Sequence, residues 1–156
     1  MGNHSSPQVA DNFVPVAPSQ AGVILVASGE ITLTLAQAQA LADSALLKFC
    51  ILPKECVLVD AWMDTDDADD GAELTVDAGL LDAAGTGIDA DETFIAASTA
   101  FQAAARVTMK HPAASALWDR QLANRIVVAE LTTNPATPKA FTARMTILYR
   151  AAEQGD

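Results

Sequence analysis

The segment Phe141 to Arg150 alternates without a break: Phe141, Ala143, Met145, Ile147 and Tyr149 fall on one side of an extended chain, and Thr142, Arg144, Thr146, Leu148 and Arg150 on the other. A period of two is that of a strand with one face buried. The rest of the chain from Val23 onward follows suit in shorter pieces, with runs of β-branched and aliphatic residues separated by turn-forming clusters. Val23 to Ala27 and Glu30 to Leu35 surround Ser28-Gly29, which predicts a tight hairpin. Ala45 to Leu52 and Val57 to Asp64 flank Pro53-Lys54 and read as a second hairpin. In its later arm Val57, Val59, Ala61 and Met63 share one face, and Leu58, Asp60, Trp62 and Asp64 the other. Leu74 to Leu81 aligns Leu74, Val76, Ala78 and Leu80 and leads into a Gly/Asp-rich loop at Asp82 to Asp91. Arg106 to Lys110 and Arg125 to Thr132 complete the strands.

Two segments differ. Ala36 to Asp43 is rich in Ala and Gln and predicts a helical turn or two, and Glu92 to Ala104 fits either a short helix or an irregular crossing. About eight strands without βαβ units predict an all-β, mainly antiparallel β-sandwich or jelly roll over residues 22 to 156. Before it, residues 1 to 21 carry Pro7, Pro15 and Pro18 and show no periodicity, which predicts an extended N-terminal arm. Val9, Phe13, Val14 and Val16 are apolar residues that a solvated tail would not need, and they are candidate anchors on a partner.

A chain of 156 residues buries enough surface to fold without disulfides or metals. The formal charge is −11, and it is segregated. Residues 43 to 92 hold fourteen acidic side chains against Lys48 and Lys54, whereas residues 101 to 150 carry Arg106, Lys110, Arg120, Arg125, Lys139, Arg144 and Arg150 against Asp119 and Glu130. A net acidic chain argues against nucleic acid as a partner. The segregation fits either internal pairing of the two halves or complementarity between neighbouring subunits. No apolar run approaches the roughly 20 residues that cross a bilayer, so no membrane partner is expected, nor is a secretory signal.

The chemistry-bearing motifs are sparse. His4 lies in the arm and His111 precedes Pro112 in a loop, so no nucleophile-base pair is indicated and no catalytic residue is assigned. Gly85-Thr86-Gly87 is too short to cradle a phosphate. The acidic run Asp64 to Asp70 before Gly71 resembles the start of a calcium loop, but Ala68 stands at a ligand position and Asp77 at the closing one; a solvated hairpin tip is the expectation. No metal and no cofactor are assigned. Cys50 and Cys56 are expected as free, half-buried thiols. Trp62 and Trp118 are either interface anchors or partly buried caps of a sheet edge.

Leu47-Lys48-Phe49-Cys50-Ile51-Leu52-Pro53-Lys54, followed by Val57-Leu58-Val59-Asp60-Ala61-Trp62-Met63-Asp64-Thr65-Asp66-Asp67, resembles tailed-bacteriophage virion proteins, in which a strand ending in Leu-Pro leads through a small turn into a strand and an acidic turn. Leu74 to Leu80, Phe94 to Thr99, Gln102 and Thr146 to Tyr149 extend the resemblance over roughly residues 23 to 151. Lys54-Glu55 and the cysteine pair depart from it. The resemblance implies the head decoration, or capsid cement, proteins: jelly-roll-like, often trimeric and not enzymes. The implied partners are the major capsid protein and further copies of the chain in a homotrimer, on the outer surface of a virion capsid, with synthesis in the host cytoplasm. Other virion stations (a head fibre base, neck or tail) and a carbohydrate-binding jelly roll are the alternatives, the last short of stacking aromatics.

Overall fold

A computed structural model describes residues 3–12, 14–15, 23–71, 73–110 and 119–152. In chain order the elements are β1 (His4–Ser5), α1 (Pro7–Ala10), β2 (Ile24–Leu33), α2 (Leu35–Gln39), β3 (Leu46–Leu52), β4 (Cys56–Thr65), β5 (Thr75–Leu81), β6 (Ile88–Ser98), a 3-10 turn (Ala100–Gln102), β7 (Ala105–Thr108), β8 (Arg125–Thr133) and β9 (Phe141–Ala151). Two sheets form, ordered β1-β3-β8-β5-β6 and β2-β9-β4-β7. All neighbours run antiparallel except β1 and β3. The result is the expected all-β, jelly-roll-like sandwich.

Strand β9 behaves as its alternation dictates. Phe141, Ala143, Met145, Ile147 and Tyr149 are buried in the core between the sheets, while Thr142, Arg144, Leu148 and Arg150 point outward. Facing them across the sandwich are Phe49, Leu52, Val76, Leu80, Phe94 and Leu131. Burying each such side chain is worth about 1.5–3 kcal/mol, which is the main force holding the layers together. Phe101 meets Phe141 edge-on, with ring centroids 5.4 Å apart. Strand β3 is apolar at every position but Lys48, and its sheet is covered on both faces at one corner: Leu46, Leu81 and Val128 pack outside the main core against Ile88 and Ile126.

Four sequence expectations need correction. The residues around Ser28-Gly29 do not turn; β2 runs through them in unbroken register with β9, from Ile24 opposite Arg150 to Leu33 opposite Phe141. Gly29 serves close approach instead, since a Cβ there would overlap the carbonyl oxygen of Phe49. The turn at Pro53-Lys54 does not make a hairpin either, because β3 and β4 belong to different sheets. The chain crosses between them at Glu55, whose φ is 61°, with the Glu55 N–H donating to the Gln121 carbonyl at 2.7 Å and the Lys54 N–H to Asn124 Oδ1 at 2.9 Å. In β4 a register shift between Leu58 and Asp60 breaks the expected face, so that Leu58 joins Ala61 and Met63 in the core while Val59 does not.

The fourth concerns the arm, which is not extended throughout its described part. β1 pairs parallel with β3, the Ser6 N–H donates to the Lys48 carbonyl at 2.7 Å, and the buried Ser6 hydroxyl donates to the Phe49 carbonyl. Pro7 then stands in the first turn of α1, where its missing N–H costs nothing. The helical turn expected near Ala36 is α2, fixed by a capping box between Thr34 and Gln37. The segment Glu92 to Ala104, open in the sequence reading, continues β6 to Ser98 and closes in the 3-10 turn.

Candidate assembly surfaces

The outward side of the four-stranded sheet carries a row of alternating charge. Register places Glu30 of β2, Arg144 of β9, Asp64 of β4 and Arg106 of β7 side by side across all four strands. Arg144 pairs with Glu30, and Arg106 donates to Asp64 through Nη2 at 3.0 Å. The next row is Ser28, Thr146, Trp62 and Thr108. Trp62 is half-buried there under the Arg106 guanidinium, 5.8 Å from the ring centroid. A third row brings exposed Val26 beside Leu148 and Asp60, and exposed Ile24 continues the apolar margin. Such exposed ion pairs are each worth at most about 1 kcal/mol, so the row reads better as a recognition surface than as a stabilising device.

A cleft of about 650 Å³ opens between the loops that follow β5 and precede β8. Glu92, 4% exposed, lies at its wall and pairs with Arg125, which also donates to the Leu81 carbonyl at 3.0 Å and to Gln121 Oε1 at 3.2 Å. Burial pushes the Glu92 carboxyl up even with the Arg125 guanidinium beside it. Arg125→Ala is expected to strand that buried carboxylate and to cost roughly 3 kcal/mol. Chemical denaturation checks this, and Arg125→Lys should recover part of the loss.

The acidic segment is built differently from a solvated hairpin tip. Asp69 is 1% exposed, and its two oxygens accept the backbone N–H groups of Gly71 at 3.0 Å, Leu74 at 3.1 Å, Ala136 at 3.2 Å and Thr137 at 2.7 Å. Burial alone would raise its pKa, but these four donors outweigh it and hold the carboxyl below the usual carboxylate range. Lys139 reaches Asp67 at 2.8 Å and also Asp70, and its hydrogen bond holds Asp67 low as well. The run is therefore a staple between the loop before β5 and the strand-like segment before β9. Among the described residues no group of three His, Cys, Asp or Glu is placed to hold a metal ion.

Of the residues singled out in the sequence, Val9 sits half-buried in α1, Val14 is half-buried beyond it, and Trp62 lies on the charged face. Phe13, Val16, Trp118 and His111 lie outside the described residues. Cys50 and Cys56 are free and fully buried rather than half-buried, and burial pushes the Cys50 thiol up to about 12. Sequence reasoning missed Ser6, Asp69, the Glu92–Arg125 pair and Arg106. Arg106 alone had a signal, in its position at the start of a short strand.

The molecule is a two-sheet block whose four-stranded sheet carries a row of alternating charge. Three solved structures it resembles are phage capsids. The chain is similar to a chain of the capsid of Ralstonia phage GP4, at 28% identity over 91% of this chain and 92% of that one, with a TM-score of 0.73. It shares its fold with a chain of the Cyanophage Pam1 capsid asymmetric unit (21% identity over 91% and 96%, TM-score 0.63) and one of the acid-stable capsid of Helicobacter pylori bacteriophage KHP30 (16% over 83% and 89%, TM-score 0.52). No protein-family model and no curated protein matches. The likeness to the Ralstonia phage GP4 capsid chain supports a structural protein of phage capsid type, and the other two show the shared fold.

Proposed function

We propose that this chain is a decoration protein that binds the outer surface of an assembled phage head and stabilises the capsid lattice, without catalysis. The observation that carries the reading is the likeness to the Ralstonia phage GP4 capsid chain along nearly the whole of both chains. The partners are the major capsid protein and two further copies of the chain, as a homotrimer on three-fold positions of the lattice. A core closed within the described residues of one chain supports addition to a finished shell. The anchoring role expected of residues 1 to 21, ahead of the domain spanning 22 to 156, falls to residues 11 to 21, because β1 and α1 are folded against β3; fully extended, eleven residues at about 3.3 Å each span roughly 35 Å. Phe13, Val14 and Val16 provide the arm's apolar grip, and Trp62 and Trp118 contribute on the body. Charge complementarity gives the contact a salt-sensitive component.

The test is to add purified protein to heads that lack it and image the particles. Saturable density on the outer surface is the expected result; density confined to a neck or tail, or within the continuous shell itself, overturns the proposal. Because β1 and Ser6 belong to the folded body, the arm is tested by Phe13→Ser with Val16→Ser and not by removing the whole segment. Those changes should lower occupancy at least tenfold while leaving the melting temperature within about 2 °C; undiminished occupancy removes the arm from the mechanism.

A further inference from the structure

The four-stranded sheet has an even number of antiparallel strands, so its two edge strands, β2 and β7, run in opposite directions. A β7 edge laid beside the β2 edge of another copy therefore continues the antiparallel order. The charged row ends on Glu30 at β2 and on Arg106 at β7, and a neighbour's Glu30 placed next to Arg106 carries the alternation of sign across the boundary. The adjacent row ends on Ser28 and Thr108, which then meet in turn. Both pairings belong to one register, because two residues forward on β7 correspond to two residues back on β2. On the inner side the same register sets Val107 against Gly29 and Ala105 against Ile31.

The edges allow it. A cleft of about 360 Å³ lies along Glu30, Thr32 and Leu33 and is bounded by His4, Pro7 and Gln37. At the outer edge of the other sheet, β6 carries Asp89 and Asp91, like charges that discourage self-pairing, and β1 is two residues long. The geometry points to head-to-tail self-association, in which β7 of one copy adds to β2 of a second copy of this chain with Arg106 beside Glu30 and Thr108 beside Ser28. The two edges are different surfaces, so the contact is heterologous and is satisfied throughout only when copies close into a ring. This rests on the homotrimer proposed above and specifies which surfaces form it.

Ser28→Cys combined with Thr108→Cys tests it, since directly opposed residues of paired strands lie within the Cα separation a disulfide needs. The native thiols are buried and do not compete. Thr32→Cys with Thr108→Cys, two rows out of register, is the control. With oxygen and a copper–phenanthroline catalyst, the first pair should form a covalent ladder ending at the closed ring, at least tenfold more than the control. Light scattering that shows an oligomer with no enrichment over the control overturns the assigned surfaces alone. Scattering that shows monomers at all concentrations overturns the homotrimer and this inference together, while decoration itself is still judged by particle imaging.

Discussion

Gly29→Val will leave little folded protein at 37 °C, and Gly29→Ala will be nearly as damaging. The new Cβ falls on the backbone carbonyl oxygen of Phe49, an atom that cannot swing aside as a side-chain tip does, and comes within 2.9 Å of Ser6 Oγ. Relief requires β2 to part from β3, which would also disturb the Ser6 hydroxyl bond to Phe49 and the seat of α1. Overpacking of a core costs about 1–3 kcal/mol where side chains adjust; against backbone on both sides a loss above about 4 kcal/mol is expected. Gly85 supplies the comparison, because its φ is 74° and a Cβ there meets nothing within 4 Å. Gly85→Ala should cost only the backbone penalty of about 1 kcal/mol. Denaturant melts that place Gly29→Ala level with Gly85→Ala would show that the two sheets do not depend on this contact.

Asp69→Ala is expected to cost about 4 kcal/mol, because it abandons four backbone donors in a site with little solvent access, each worth about 1–3 kcal/mol when unsatisfied and some regained by an entering water. Asp69→Asn keeps one acceptor oxygen but turns an amide group toward the remaining donors and should fall between Ala and the native protein. Asp67→Ala, which loses an exposed ion pair with Lys139, should stay within about 1 kcal/mol. The carboxyl's low folded pKa fixes the sign of the pH effect. Asp69 contributes its full stability above the ordinary carboxylate range, near pH 4, and the contribution is lost as pH falls below that through the folded value. The native protein should therefore lose stability on acidification more steeply than Asp69→Asn. Parallel acid profiles for the two would remove Asp69 from the staple.

What the sequence made legible was whatever its periodicity encodes. The ten residues from Phe141 to Arg150 announced both their strand and their buried face. Glycine was the point of ambiguity, since Ser28-Gly29 carries the composition of a turn while Gly29 is in fact required by a contact with Phe49, twenty positions further on. Asp69 posed the same difficulty: nothing local separates it from Asp67 and Asp70, and its role comes from Ala136 and Thr137, which the fold brings to it from 67 and 68 positions away. Arg125 and Glu92 were visible as charges but not as a pair, because their juxtaposition depends on β8 and β6 flanking β5. The segregation of charge was readable in the sequence, yet the row Glu30, Arg144, Asp64, Arg106 exists through strand order alone.

The position of β9 also governs how the molecule is made. Among the described residues it is the last strand, yet it lies between β2 and β4 in its sheet, with Arg144 bound to Glu30 across 114 positions. No part of that sheet larger than the β4–β7 pair can close until residues 141 to 151 have left the ribosome, so β2 must wait unpaired while residues 34 to 140 are synthesised. Closing a loop of that length precedes any reward from the contacts it brings, which places folding among the slow, high-contact-order cases. During the wait the exposed Ile24 and Val26 of an unpaired strand invite aggregation. The surplus of negative charge between residues 43 and 92, all translated early, keeps nascent chains apart for that interval.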